Sequence, residues 1–359
     1  MKKSLSFLSI ASLLVMFTSC ESIFGDINSD SNTIPSKGIP EGVTVQLSID
    51  EQPTVHYHDA TIVGLITVSA FYSEDLEEVK PETVTVYYGK TSEDLSGTAV
   101  GSSSGQEDYY YSSKRRYDVS AKLQNLEDGA VYYYQIVAKF GKDTRKTDVK
   151  SFFTLPEGAI DLDLPSKTKW SSANLGANYP DEAGMYIAWG ETDEKKQNAA
   201  YTWSFYKWCN GEYSKLLKYT TQKTYAVIEP DGKYTLQDED DAAIRKLGDK
   251  WHTPTIEEWN ELKSLCVWTP GSLNGRRGWF VRSKANPDDP KKVVFLPLTG
   301  YKDGVNVAGD NNCGYYWTSS LYTLGLDYYA RNFCLTTYSN DFNMGYRCYG
   351  ESIRPTLKP

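Results

Sequence analysis

The sequence predicts an all-β sandwich over residues 42–155, followed by an α+β domain over residues 156–359. Alternating apolar and polar runs of strand length fill the first region. The composition then shifts toward Gly, Trp, Tyr and Asn, and two segments of the second region carry helix-start signals. A chain of 359 residues is long enough for two such domains behind a leader segment.

An export signal is predicted over residues 1–19. Two lysines supply a positive start, and the apolar run over residues 5–17 is too short to span a bilayer. Two small residues then precede Cys20, and the segment resembles a bacterial lipobox, whose cysteine is acylated before cleavage. The resemblance implies that Cys20 is lipidated and begins the mature chain. A plain secretory signal that leaves Cys20 as a free thiol is the alternative.

Residues 20–41 predict a flexible tether, because they are rich in Ser, Asp, Asn, Gly and Pro. No later stretch approaches the roughly twenty apolar residues of a transmembrane helix. We therefore expect contact with the lipid bilayer through acylated Cys20 alone. Glu21, Asp26 and Asp30 loosely resemble the acidic signals that send Bacteroides-type lipoproteins to the cell surface. We expect an outer-membrane lipoprotein exposed at the surface, with the periplasmic face as the alternative.

The composition narrows the possible functions. The formal net charge is −9 and no basic run occurs, so nucleic acid is not an expected partner. Three histidines leave few candidates for histidine-based catalysis, whereas 28 Tyr and 9 Trp suit recognition surfaces as well as half-buried strands. The cysteines other than Cys20 match no CxxC or metal-ligand spacing, and their odd number leaves at least one unpaired within the chain. They are Cys209, Cys266, Cys313, Cys334 and Cys348.

The first region contains six predicted strands. Each combines alternating polarity with β-branched or aromatic residues, and polar turns separate them. Regularly spaced strands without helical periods indicate a sandwich. The predicted strands are 43–49, 60–70, 82–89, 117–123, 131–140 and 150–154.

Leu126, Gly129 and Tyr132 have the spacing found before the sixth strand of fibronectin type III domains, which this region resembles. The resemblance implies a tyrosine corner, in which the ring of Tyr132 packs in the core and its hydroxyl bonds to nearby backbone. Tyr132 is therefore expected to be structural, and the domain is expected to act as a spacer.

His56, His58 and Asp59 form the only histidine-rich motif in the sandwich. On a strand, residues i and i+2 share a face, so the two imidazoles could bind a metal ion. The sequence offers no third ligand, and a solvated strand edge explains the motif as well. We therefore expect no metal site and no cofactor.

Two helices are predicted in the second region. The first covers residues 240–247, with acidic residues at its positive N-terminal end. The second follows Pro254, where Thr255 and Glu258 have the spacing of a capping box. Its buried face is expected to include Trp259, Leu262 and Cys266.

Several phrases of the second region resemble the Fibrobacter succinogenes major paralogous (FISUMP) domain, in that family's order. The resemblance implies a fold similar to C-type lectins and to formylglycine-generating enzymes, with a small central sheet. We expect Trp170, Trp189 and Trp251 in the core, and Asp241, Thr253 and Arg354 as structural hydrogen-bonding residues. The phrases span residues 163–177, 186–192, 201–208, 250–262, 293–301, 314–320 and 352–355.

The C-terminal segment contains the candidate binding face. Phe333 and Leu335 alternate with Asn332 and Cys334, which predicts a strand with one buried and one exposed face. The layout resembles lectin-fold segments diversified by retroelements, although Tyr-rich endings also occur in FISUMP domains that are not diversified. Rings supply contact area while amides and carboxylates adapt their hydrogen bonds. The candidate residues are Tyr322, Asp327, Tyr328, Asn332, Tyr338, Asn340, Asp341, Asn343, Tyr346 and Tyr349.

Three functions are compatible with the sequence. The first is binding of a glycan or protein ligand, and the second is a structural or tip subunit of a surface assembly. The third is an enzyme related to the formylglycine-generating group, which uses a cysteine pair with copper. Cys334 and Cys348 are the nearest candidates for such a pair, but a disulfide between them or with Cys313 is the simpler interpretation. The run 310–312 could supply oxygen ligands for calcium and is better explained as a turn.

Overall fold

The structure is a computed structural model. The predicted export signal, Cys20 and most of the predicted tether lie outside the residues it describes. From Gly38 onward the described residues belong to one compact unit, which consists mainly of β-strands arranged in several sheets. Within this described part, no helix has the length and apolar character to cross a membrane. The described residues are 38–71, 76, 79–107, 113–196 and 199–359.

Two sheets build the sandwich. β3 pairs with β1, β2 and β6 in one sheet, and β7 pairs with β4, β8 and β9 in the other. β5 joins them, because its first half pairs with β4 and its second half with β6. The strands are β1 (Thr44–Ser48), β2 (Thr54–Val55), β3 (Ala60–Ser69), β4 (Thr83–Gly89), β5 (Gly97–Glu107), β6 (Lys114–Leu123), β7 (Val131–Phe140), β8 (Asp143–Lys146) and β9 (Lys150–Phe153).

All six strands predicted for the sandwich are present, and three further strands were missed. β5 has the sequence GTAVGSSSGQE, whose small residues give no alternation of polarity. It is a strand because each of its halves forms backbone hydrogen bonds with one neighbouring strand. β8 is short and charged, and it forms through its hairpin with β7. Apolar side chains from both sheets, including Ile62, Ile66, Val86 and Ile136, form one core.

The expected role of Tyr132 is confirmed. Its side chain is buried in the sandwich core, with its ring 5.7 Å from that of Phe152. The Tyr132 hydroxyl accepts a hydrogen bond from the backbone N–H of Glu127 at 2.8 Å. The turn that leads into β7 is thus tied to the ring that anchors this strand in the core.

The described residues of the C-terminal region form four small sheets. Their orders are β10-β11-β23-β13, β12-β22-β17-β18, β14-β15-β16 and β19-β20-β21. The strands are β10 (Ala159–Ile160), β11 (Lys169–Ser171), β12 (Ile187–Ala188), β13 (Trp251–His252), β14 (Cys266–Leu273), β15 (Arg276–Ser283), β16 (Val293–Pro297), β17 (Tyr301–Asp303), β18 (Asn306–Ala308), β19 (Cys313–Leu321), β20 (Tyr329–Thr336), β21 (Asn340–Tyr346), β22 (Gly350–Glu351) and β23 (Thr356–Leu357).

Both predicted helices are present in this region. α1 (Ala242–Leu247) begins two residues later than predicted, because Asp241 is its N-cap. α2 (Ile256–Leu265) has the predicted capping box. The predicted buried face of α2 is confirmed for Trp259, whose ring stacks at 4.5 Å on Phe333, and for Leu262. Cys266 is buried too, but it lies past the helix end and begins β14.

The expectations for structural residues are confirmed with one exception. Trp170 and Trp189 are buried, but Trp251 is only partly buried, because β13 lies at the edge of its sheet. The predicted bonding roles of three polar residues hold. Asp241 accepts from the backbone and hydroxyl of Thr253 at 2.9 and 2.8 Å, and Arg354 donates to two backbone carbonyls.

The histidine motif lies where the sandwich meets the C-terminal region. The two histidines follow β2 in a turn, so the interpretation that they share a strand face or a solvated edge is wrong. The His56 ring stacks on Tyr179 at 4.0 Å, and His58 bonds to Glu157 at 3.0 Å. Between them, the hydroxyl of Tyr57 contacts that of Ser172 at 2.9 Å. The motif therefore joins the two regions.

Replacing Tyr132 with Phe tests the importance of its hydroxyl. The Glu127 N–H loses its acceptor, so Tyr132→Phe should lower the free energy of unfolding by about 1–2 kcal/mol. Tyr133→Phe, on the opposite face of β7, is the control and should change it by less than about 0.5 kcal/mol. Urea denaturation measures both, and equal losses would contradict the assigned role.

Candidate functional site

The β20–β21 hairpin carries most of the candidate binding residues. As predicted, Phe333 and Leu335 are buried, and the Phe333 ring packs on Trp259 of α2. The other face was predicted to be exposed, and this is wrong for Asn332. Its side chain is fully buried, because β22 covers that face and brings Glu351 within 2.8 Å of the Asn332 amide nitrogen.

Asp327 is also buried, so its prediction as an exposed binding residue is wrong. Its carboxylate accepts hydrogen bonds from the N–H groups of Thr221 and Gln222 at 2.6 and 2.8 Å. The hydroxyl of Thr221 donates a third bond at 2.7 Å. Asp327 therefore fixes a loop that lies about a hundred residues earlier in the chain.

Tyr338, Asn340 and Asp341 lie at the turn end of the hairpin. The side chain of Tyr338 is 93% exposed, and Asp341 is paired with Lys263 of α2 at 2.7 Å. Six strand positions separate Asn340 from Tyr346, which is roughly 20 Å at about 3.3 Å per residue. The predicted face is therefore divided between the two ends of the hairpin.

At the other end of the hairpin, aromatic side chains form a continuous surface that we call the aromatic cluster. Tyr346 is its centre, with ring centroids 4.7 Å from Tyr329 and 5.2 Å from Tyr349. Tyr328 extends it to Tyr213 and Tyr225 through edge contacts at 5.1 and 5.2 Å. The cluster comprises Trp203, Tyr213, Tyr225, Tyr301, Tyr315, Tyr322, Tyr328, Tyr329, Tyr346 and Tyr349.

Arg347 holds the loops beneath the aromatic cluster. The guanidinium is fully buried and donates to the carbonyls of Lys218, Tyr219 and Asp327 at 2.9, 3.2 and 3.0 Å. It also donates to the hydroxyl of Tyr206 at 3.0 Å. The loops that carry the outer rings are thus fixed to one strand end.

A small cavity of about 120 Å³ opens between the hairpin and β22. Its volume corresponds to roughly four water molecules at their liquid share of ~30 Å³ each. Exposed Asn343 and Met344 contribute to its lining, and three rings of the aromatic cluster form much of its wall. The remaining lining residues are Tyr301, Tyr315, Asn332, Gly345, Tyr349 and Glu351.

Glu351 is the ionisable acid of this cavity. Its side chain is 1% exposed, and both carboxyl oxygens accept from the Asn332 amide at 2.8 and 2.9 Å. Among the ion pairs of the described residues, none includes Glu351. Burial raises the pKa of the Glu351 carboxyl well above its ordinary value, and the bond from Asn332 offsets this only in part. A Cβ at Gly345 would lie 2.3 Å from the carboxyl oxygen, so glycine makes room for it.

The described cysteines are all free, which contradicts the expected disulfides. Cys334 lies opposite Tyr315 in the β19–β20 pair, whereas Cys348 packs in the same apolar cluster as Cys209. Burial raises the pKa of the Cys334 thiol to about 11 and that of Cys348 to about 12. Both thiols are therefore protonated at neutral pH.

The residues considered as metal ligands make other contacts in the structure. Over the described ranges, no group of three or more His, Cys, Asp or Glu side chains is placed to hold a metal ion. The run 310–312 forms a turn, as predicted. In it, Asn311 accepts from the N–H of Arg277 at 2.7 Å, and Asn312 accepts from the Arg277 side chain at 2.7 Å.

Sequence reasoning missed several residues of the site. Trp203 lies in a phrase that was assigned only to the family resemblance, and Glu351 is a single acidic residue next to the SIRP phrase. The richness in Tyr was a signal for the rings, but nothing in the local pattern marks Glu351 as buried. No family model matches the chain, and no curated protein matches it. The family resemblances therefore stay predictions.

The buried carboxyl predicts an unusual dependence of stability on pH. Above pH 4.5, the ordinary value, Glu351 stays protonated in the folded chain and loses its proton on unfolding. The folded state then binds more protons, so stability falls as pH rises, by up to about 1.4 kcal/mol per pH unit until the raised pKa is passed. Four other ionisable groups face Glu351, and burial raises the pKa of each, so none of them titrates between pH 4.5 and pH 8. They are Tyr301, Tyr315, Tyr349 and Cys334.

Glu351→Gln should remove this decline. The variant should equal the wild-type protein in stability near pH 4.5 and exceed it at pH 8, because the neutral amide has no ionisation to lose. Urea denaturation at several pH values measures the difference between the two proteins. Parallel pH profiles would contradict the assignment of a raised pKa to Glu351.

Proposed function

We propose that the chain is a surface-exposed outer-membrane lipoprotein that binds an extracellular glycan or protein ligand through its C-terminal region. The observation that carries this proposal is the aromatic cluster, a contiguous set of partly exposed rings fixed on buried polar anchors. Rigid rings lose little conformational entropy on binding and present both apolar and polar contact area. Sugar faces and protein side chains both suit such a surface.

We further propose that residues 42–155 form a fibronectin type III-like spacer. The order β1-β3-β6 in one sheet and β5-β4-β7 in the other supports this proposal, as does the tyrosine corner at Tyr132. For residues 156–359 we propose a FISUMP domain of C-type-lectin-like fold. Two short helices beside several small sheets are compatible with it.

The cysteine chemistry favours binding over the enzymatic alternative. A copper-binding or nucleophilic cysteine acts as a thiolate, and thiolate formation requires a lowered pKa. Cys334 and Cys348 have raised pKa values instead.

Glycan and host-protein arrays probed with the full-length protein test the proposal. We expect a ligand whose binding weakens at least tenfold in Tyr328→Ala and Tyr346→Ala, since both rings are central to the cluster. Tyr234→Ala, a half-exposed tyrosine outside the cluster, is the matched control and should leave binding unchanged.

Two outcomes would contradict the proposal. No ligand on either array would leave the surface without a partner. A ligand lost in Tyr338→Ala but retained in Tyr328→Ala and Tyr346→Ala would move the binding site to the turn of the hairpin. Protease treatment of intact cells, followed by detection of the chain, tests the surface location.

A further inference from the structure

We propose that the cavity beside Glu351 binds a primary ammonium group. The Glu351 carboxylate and the Asn332 side-chain oxygen are its acceptors, and the neighbouring tyrosine rings surround the carbon that bears the nitrogen. This inference names a ligand chemistry for the surface proposed above, and it therefore rests on that proposal.

Glu351 has no ion-pair partner among the described residues. A buried carboxylate costs several kcal/mol unless a cation and hydrogen bonds compensate it. Two other buried acids of the described residues have a cation, since Glu191 is paired with Lys195 at 2.6 Å and Asp240 with Lys218 at 2.5 Å. Asp241 and Asp327 have no cation, but each accepts at least three hydrogen bonds. Glu351 has only the Asn332 amide. The cavity next to it supplies the space in which a cation from a ligand can complete the pair.

Asn332 has an unused hydrogen-bond acceptor. The Oδ1 atom of Asn332 is buried and has no hydrogen-bond partner among the described residues. Asn332 lines the same cavity as Glu351, and a primary ammonium group has three N–H donors. It can donate to Glu351 and to Asn332 at once. A quaternary ammonium group has no donor and would leave Oδ1 unpaired.

Tyrosine rings form one wall of the cavity. Tyr301 contacts Tyr315 edge-on at 5.1 Å and Tyr349 at 5.2 Å, so the three rings form one continuous side of the cavity. Aromatic rings attract organic cations through their negative faces and also pack against the attached carbon atoms. The cavity is less suited to a metal ion such as calcium, which takes six to eight oxygen ligands.

Size and geometry select among organic cations. A volume of about 120 Å³ admits the end of an amine but not a large group. A guanidinium is planar and pairs best with two free carboxylate oxygens, whereas both oxygens of Glu351 already accept from Asn332. A compact ammonium needs one oxygen from each side chain.

Binding should be coupled to proton release. The carboxylic acid of Glu351 transfers its proton to the buffer as the alkylammonium ion enters, so the charge of the site changes from neutral to an ion pair. Asn332 keeps its amide protons throughout. Affinity should therefore rise with pH, by up to tenfold per pH unit, until the pH exceeds the pKa of Glu351 in the free protein.

Isothermal titration calorimetry of the full-length protein with n-butylammonium chloride tests the inference. At pH 8 we expect n-butylammonium to bind at least tenfold more tightly than n-butanol, and KCl to give no competing signal. Glu351→Gln should weaken n-butylammonium at least tenfold and leave n-butanol unchanged. Glu257→Gln makes the same chemical change on an exposed residue of α2 and should bind as the wild-type protein does.

Equal n-butylammonium affinity in Glu351→Gln and the wild-type protein would overturn the inference. A second measurement guards against a variant that fails to fold. Titrations of the wild-type protein in buffers of different ionisation enthalpy should reveal release of up to one proton per ligand at pH 6. Binding without proton release or pH dependence would also overturn it.

Two sources of the amine are distinguished by competition. Displacement of n-butylammonium by glucosamine but not glucose assigns the cavity to an amino sugar. Displacement by Nα-acetyl-lysine amide, but not by its Nε-acetylated form, assigns it to a basic peptide. If neither amine competes, the inference fails.

Failure of this inference and failure of the proposed function give different results. An array ligand that requires Tyr328 but not Glu351 supports the aromatic cluster and removes the cavity from the binding site. The reverse result is that n-butylammonium binds but neither array yields a ligand. That result supports the cavity as an ammonium site and leaves the proposed surface without a partner.

Discussion

The C-terminal region depends on buried polar side chains that hydrogen-bond to the backbone of its loops. Long segments lie between its short strands, and their buried amides and carbonyls need partners that no sheet supplies. Asp241, Asp327, Arg347 and Arg354 meet this need, since each bonds to backbone distant in the sequence. These bonds keep the irregular loops in fixed positions. The rings of the aromatic cluster that the loops carry therefore stay together as one surface.

Glu351 is an exception to this pattern. Its carboxyl is as deeply buried as the others, but its partner is one side-chain amide and not a set of loop N–H groups. It therefore contributes little to holding the loops, and its ionisation opposes folding. Groups that weaken the fold in this way often serve function, because a bound ligand can supply the missing interaction. The adjoining cavity places Glu351 where such a ligand can reach it.

Attachment of the sandwich to the C-terminal region is also specific. Asn274 exchanges two hydrogen bonds with the backbone of Val55 at 2.8 and 2.9 Å, and Phe153 packs against Phe280 with ring centroids 5.8 Å apart. The sandwich and the C-terminal region therefore have defined contacts, which a flexible linker between them would not give.

Local features were determined by the sequence itself. The six alternating strands, the capping box at Thr255 and the corner at Tyr132 all depend on residues a few positions apart, and their patterns are visible in the chain. Only the tertiary structure decided that Asn332 and Asp327 are buried and that Glu351 lines a cavity. The reason is that their partners come from elsewhere: Thr221 lies 106 residues before Asp327. Burial of a polar residue depends on which segment covers it, and no local period records that.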